Sequence, residues 1–155
     1  MLGPPGTTER LDLAMETLFP GSTAVTRRFQ VHVRTHGTSR PTDAGAARVS
    51  AHEVRHASGA PAYGVRVGLG GRTVAYSGDT EWTDALLELS SGADLFLAEG
   101  YSPRPVRWHL DLESLTANRE RFDCGAIALT HLSPSALELD LRDWEVAHDG
   151  LRRTV

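Results

Sequence analysis

At 155 residues the chain has room for one domain with a sizeable core but not for two, and 40% apolar with 23% charged residues is ordinary globular composition. Its 16 basic residues are all arginine, set against 20 acidic ones, and the net charge of −4 supplies no basic face to steer nucleic acid. The one cysteine, Cys124, excludes an internal disulfide and any cysteine-built zinc site, and no apolar run approaches membrane-spanning length.

Met1 is followed by L-G-P-P-G, without the charged and apolar segments of a secretion signal, so a cytoplasmic protein is expected. Gly3 to Gly6 reads as a turn, and Thr7 or Thr8 can cap a helix begun there. Leu11, Ala14, Met15, Leu18 and Phe19 form one apolar stripe at helical spacing, with a plain role in the core, and Pro20-Gly21 stops the helix. Phe29, Val31 and Val33 then alternate with Gln30, His32 and Arg34, the pattern of a half-buried strand with His32 on its solvated side. Residues 35–47 are small and polar and read as a flexible connection, in which His36 carries little functional weight.

Residues 49–56 return to strand composition, and His52, Val54 and His56 share one parity and so one face. Residues 63–67 and 72–77 predict a hairpin about Gly70-Gly71. The second strand ends abruptly in S-G-D-T, after which Trp82, Ala85, Leu86 and Leu89 fall at helical spacing and predict a helix over 81–90. Asp79 therefore sits beyond the carboxyl end of a strand, where open α/β sheets place their chemistry. Asp79 or Thr80 could equally do no more than cap the helix.

Residues 95–98, L-F-L-A, form a short apolar run bounded by Asp94 and Glu99, as in a strand buried on both faces. A loop rich in Pro and Arg leads to Trp108-His109, and residues 111–122 are weakly amphipathic. A second buried strand over 126–130 ends at His131. Ser133-Pro134 is a helix start, with a capping hydroxyl before a proline at the first helical position. Asp149-Gly150 makes a turn before an edge strand over 151–155. This alternation of strands and helices predicts an α/β layer.

Three strand ends thus carry side chains able to ligate a metal: His56, Asp79 and His131. Glu99 and His109 are two further polar candidates. Imidazole and carboxylate donors suit zinc, manganese or iron, and one carboxylate can bridge two ions. A histidine beside a buried strand is often only a hydrogen-bonded core residue, so the weight lies in the order and placement of the set.

At these residues the chain resembles the metallo-β-lactamase-fold hydrolases, with most likeness to the branch containing ribonuclease Z. A-Y-S-G-D-T (75–80) and A-L-T-H-L-S (128–133) look like the last two metal motifs of that family. H-A-S-G-A-P-A-Y-G-V-R-V (56–67), L-F-L-A-E-G-Y-S (95–102) and W-H-L-D-L-E-S-L (108–115) resemble further motifs of the branch, and G-P-P-G-T-T-E-R-L resembles a turn and helix midway through the family domain. The resemblance implies that His56 binds the first metal, that Asp79 bridges both and that His131 binds the second. It implies an acid pair of Glu99 and His109, with His109 giving the leaving group its proton. A role for His109 in capping or packing alone is the competing reading. The implied cofactors are two divalent ions, zinc foremost, with manganese or iron as alternatives.

The family's histidine-rich H-x-H-x-D-H loop is absent from the sequence. Three ligands shared between two ions leave neither adequately held. The expected fold is therefore the C-terminal half of a four-layer αββα sandwich: one partial domain over 1–155, a mixed sheet with helices on one face and an apolar face left uncovered. A truncated gene, a late start site or a partial fragment would each produce such a chain.

The resemblance also implies chemistry: hydroxide generated at two metals cleaving an ester, phosphodiester or lactone bond of a small molecule. The stretch between His56 and Asp79 is short, whereas the tRNA-processing members of the branch carry a long arm there to grip RNA. Together with the acidic balance, this ranks tRNA 3′ processing second. A third reading, of another class, is a catalytically inactive half-domain or a subunit that needs a partner chain or a second copy of itself.

Overall fold

A computed structural model describes residues 1–35 and 40–155, so His36 lies outside the described residues. The architecture is organised by a seven-stranded mixed sheet of strands β3 (Thr42–Ala44), β4 (Ala47–Val54), β5 (Ala62–Leu69), β6 (Arg72–Tyr76), β7 (Leu95–Glu99), β8 (Ile127–Thr130) and β9 (Glu145–Val146). The strands lie side by side in chain order, antiparallel from β3 to β6 and parallel from β6 to β9. Parallel neighbours need crossovers, and helices α2 (Ala85–Ser90), α3 (Leu112–Asn118) and α4 (Pro134–Leu137) supply them. Two further strands, β1 (Leu2–Gly3) and β2 (Arg34–Thr35), pair apart from this sheet, with α1 (Thr7–Leu18) between them in sequence. Among the described residues no helix is long and apolar enough to cross a membrane.

Alternation along the strands gives the sheet two apolar faces. Val54, Ala75, Phe96, Ala98 and Leu129 point to the side where Leu86 and Leu89 of α2 and Leu115 of α3 complete the core. Burying each of these leucines stabilises the fold by about 1.5–3 kcal/mol. Helix α2 lies so close to β5 that a Cβ on Gly64 would stand 2.5 Å from Leu89 Cδ2. The opposite face carries Val49, Val65, Val67, Val74 and Leu97, all only half-buried. A valine-rich face left partly open beside a helix-covered one is what half of a four-layer sandwich presents.

Several boundaries differ from expectation. The hairpin about Gly70-Gly71 forms with Leu69 opposite Arg72, as predicted. Part of the supposed connection over 35–47 is instead strand β3, turned into β4 at Gly45-Ala46. Helix α2 starts later than Glu81 because Glu81 N–H bonds the Arg55 carbonyl at 2.9 Å, which holds that residue as a bridge to the end of β4. Neither Asp79 nor Thr80 caps it, and Asp84 takes the N-cap position.

Helix α1 forms where its spacing predicts but buries none of its residues, so its stripe is not core; Leu18 and Phe19 are exposed. Thr7 and Thr8 lie inside α1, and neither caps it. The alternating stretch at Phe29–Val33 is no strand either: Phe29 and Val31 stay exposed, and pairing with β1 begins only at Arg34. Residues 151–155 form no strand, and β9 takes the edge instead. Asp111 and Ser133 cap α3 and α4 by accepting from Ser114 N–H (2.7 Å) and Ala136 N–H (3.3 Å).

Candidate active site

Because β6, β7 and β8 are parallel neighbours, their carboxyl ends lie side by side, and each delivers one polar residue to the same place. Asp79 follows β6, Glu99 ends β7 and His131 follows β8. His109, from the loop after β7, joins them, and one ligand atom from each of the four lies within 4.8 Å of the others. Asp79 is brought there by Gly78, whose φ of 63° is left-handed and whose absent Cβ would stand 3.1 Å from the Tyr63 carbonyl oxygen.

Glu99 is 1% exposed and fully engaged. Its Oε2 accepts from the backbone N–H groups of Thr80 (2.9 Å) and Leu110 (3.1 Å), and its Oε1 lies 2.5 Å from His109 Nδ1. Its own N–H donates to the Ser77 hydroxyl at 2.8 Å. A buried carboxylate is tolerable only when its lone pairs are occupied in this way. The Glu99 contact fixes Nδ1 of His109, and Tyr101 stacks on the ring at 4.2 Å, so Nε2 is the nitrogen left for chemistry.

Asp79 and His131 are more open, and His131 Nε2 stands 3.8 Å from Asp79 Oδ2 and 3.8 Å from Glu99 Oε1, beyond hydrogen-bond distance of either. The His131 ring runs nearly parallel to those of His109 and Tyr101, at 5.6 and 5.5 Å. His56 is not one of the four, but it stands next to them, its ring edge-on to His109 at 5.5 Å. Its Nδ1 bonds the Trp108 carbonyl at 2.8 Å, which leaves Nε2 as its open nitrogen. Near the cluster, burial first and then the charges of Asp79 and Glu99 push the Tyr76 phenol above its ordinary range.

The donor chemistry fits a divalent metal. Two open donors 3.8 Å apart are slightly wider than the roughly 3.3 Å edge of a tetrahedron with 2.0–2.1 Å bonds. Asp79, His131 and the Nε2 of His109 are the open donors of the cluster and His56 Nε2 is open at its margin, whereas Glu99 is consumed by its three donors. A catalytic ion takes three protein ligands, so a set of this size falls short of two ions.

The structure thus gathers Asp79, Glu99, His109 and His131, and sets His56 at their margin. His32 and His148 are exposed and His52 lies on β4, all outside the cluster. Sequence reasoning missed Tyr101, Glu81 and the left-handed backbone of Trp108. Tyr101 follows Glu99 by two residues, the same spacing that puts alternate side chains on one side of a strand, and that signal was available. Clefts also lie away from the cluster. One of about 360 Å³, lined by Leu11, Met15, Phe29 and Val31 among others, belongs to the N-terminal part.

The family description "Beta-lactamase superfamily domain" matches residues 1–132. An uncharacterized protein of Mycobacterium leprae (strain TN) is 34% identical over 99 residues, 61% of this chain and 34% of that protein. The crystal structure of a diphosphatase from the PhnP family superposes with a TM-score of 0.68 at 21% identity, covering 97% of this chain and 56% of that one. The short form of human tRNase Z superposes with a TM-score of 0.62 at 18% identity, covering 95% of this chain and 62% of that one. At such identities the likeness is one of fold, and the chain spans only about a third to three-fifths of these relatives.

Proposed function

The chain belongs to the β-lactamase superfamily, and from that premise we propose that it carries the acid–base half of a metal-dependent hydrolase acting on a small ester, phosphodiester or lactone. The observation that carries this reading is the convergence of Asp79, Glu99, His109 and His131 at three neighbouring strand ends.

Asp79 and His131 would hold a divalent ion, zinc by donor type, with His56 Nε2 as the third ligand. Such an ion supplies Lewis-acid polarisation of the scissile bond and eases the deprotonation of water. The protein's own part is proton delivery. Glu99 accepts from His109 Nδ1 and so favours an imidazole ring that keeps its Nδ1 proton throughout. Nε2–H of the doubly protonated ring can then pass its proton to the departing oxygen, leaving a neutral ring still bonded to Glu99. The buried carboxylate and the stacked Tyr101 hold the donor in one orientation.

Hydrolysis of a p-nitrophenyl ester and of bis(p-nitrophenyl) phosphate, with Zn²⁺ supplied, tests the reading. His109→Ala should lower turnover about 10²–10⁴-fold, the usual contribution of a positioned general acid. It should do so less for p-nitrophenol, a good leaving group, than for an alkyl ester. An equal loss on both leaving groups would contradict proton donation. A second reading, a half-site completed by another chain, is favoured by the shortage of ligands for two ions. Activity that rises with protein concentration more steeply than first order would support it. Cleavage of a precursor tRNA in preference to the small esters would instead favour the ribonuclease Z-like alternative.

A further inference from the structure

Trp108 and His131 are the only non-glycine residues with positive φ among those described. Trp108, at φ 71°, occupies a tight turn in which Val106 bridges His109. A left-handed backbone is strained for a bulky residue and persists only where its surroundings hold it. Here both backbone groups of Trp108 are held. Its N–H donates to Glu81 Oε1 at 2.9 Å, and its carbonyl accepts from His56 Nδ1 at 2.8 Å. Glu81 is itself anchored, since its N–H bonds the Arg55 carbonyl at 2.9 Å and Arg55 N–H bonds the neighbouring Thr80 hydroxyl at 3.0 Å. The end of β4, the turn after β6 and the 106–109 turn are thereby laced together around His56.

A carbonyl oxygen carries no proton, so the bond to Trp108 requires a proton on His56 Nδ1, and in the neutral ring this leaves Nε2 bare. We propose that Glu81 is a positioning residue that, through the Trp108 peptide, locks His56 in the Nδ1–H tautomer with Nε2 free to ligate. The use of that nitrogen rests on the metal reading above, whereas the tautomer does not. Glu81 would touch neither metal nor substrate.

Long-range ¹⁵N–¹H correlation spectra of the full, metal-free chain report the tautomer directly, and Zn²⁺ titration reports its consequence. Wild type, Glu81→Gln and Trp108→Gly should all show Nδ1–H at His56. Glutamine keeps the acceptor oxygen, and glycine adopts the same turn without strain. Glu81→Ala should give a mixture of tautomers and bind Zn²⁺ about 10–100-fold more weakly, the usual loss on removing an outer partner of a ligand. An unchanged His56 tautomer in Glu81→Ala would overturn the inference. So would a wild-type His56 protonated on Nε2, whatever the variants do. A tautomer that responds to Glu81 in a chain that takes up no Zn²⁺ would uphold the positioning role and count against the metal reading alone.

Discussion

Glu99 sits at the meeting point of the site, and its carboxylate oxygens face only donors: two backbone N–H groups and the His109 ring. Glu99→Gln would turn a donating NH₂ toward at least one of them. In a residue this buried, an unsatisfied donor costs about 1–3 kcal/mol, so the urea midpoint should fall together with turnover. A variant of unchanged stability would mean that the network is looser than described. His52 offers a second test at this scale. Burial holds its pKa below the ordinary imidazole value, outweighing the opposing charge of Glu88. The unfolded chain takes up that proton near about pH 6.5 and the folded chain only at lower pH. Its contribution to stability is therefore intact above about pH 6.5 and is lost as pH falls through the depressed folded value. His52→Gln should flatten the fall in melting temperature on acidification below about pH 6.5, and an unchanged slope would contradict the assignment.

At the scale of elements, the spacing between α2 and β5 is set by a missing side chain. A Cβ on Gly64 would meet Leu89 Cδ2 at 2.5 Å and the carbonyl oxygens of Tyr76 and Ser77 at 3.1 Å. Leu89 can swing aside, but the backbone of β6 cannot do so without moving the strand that carries Asp79. Gly64→Ala should therefore destabilise the fold by about 1–3 kcal/mol, the usual cost of overpacking a core, as read by denaturant unfolding. Little change would mean that α2 is free to lift. This close approach was not legible in the sequence, because it depends on where α2 packs against β5. The helix stop at Pro20-Gly21 and the hairpin at Gly70-Gly71 were legible, because each is decided by a few neighbouring residues.

Across the whole molecule, legibility follows the same division. Val74 to Asp79 and Leu95 to Glu99 announced strands ending in carboxylates, of which only the second is largely buried, and adjacency of parallel strands then brought those ends together. What could not be read was anything that depends on a partner surface. The stripe of α1 and the alternation at Phe29, Val31 and Val33 are written for burial, yet both stretches stay largely exposed. Val49, Val65, Val67, Val74 and Leu97 likewise form an apolar face that is only half-buried. Periodicity records which face seeks cover without recording what covers it. The pairing of His109 with Glu99 came from the family resemblance and not from local pattern, because its place beside Glu99 depends on the left-handed Trp108 turn, which no residue-type rule foretells.

If the strand ends of β6 and β8 hold a metal, they hold it through Asp79 and His131, and the proposed chemistry depends on that. Elemental analysis of the purified chain after gel filtration, beside Asp79→Ala and His131→Ala, tests it most directly. The expected result is at least one equivalent of tightly held Zn²⁺ per chain, lost in both variants while their melting remains cooperative. Wild-type protein carrying no more zinc than the two variants would contradict it.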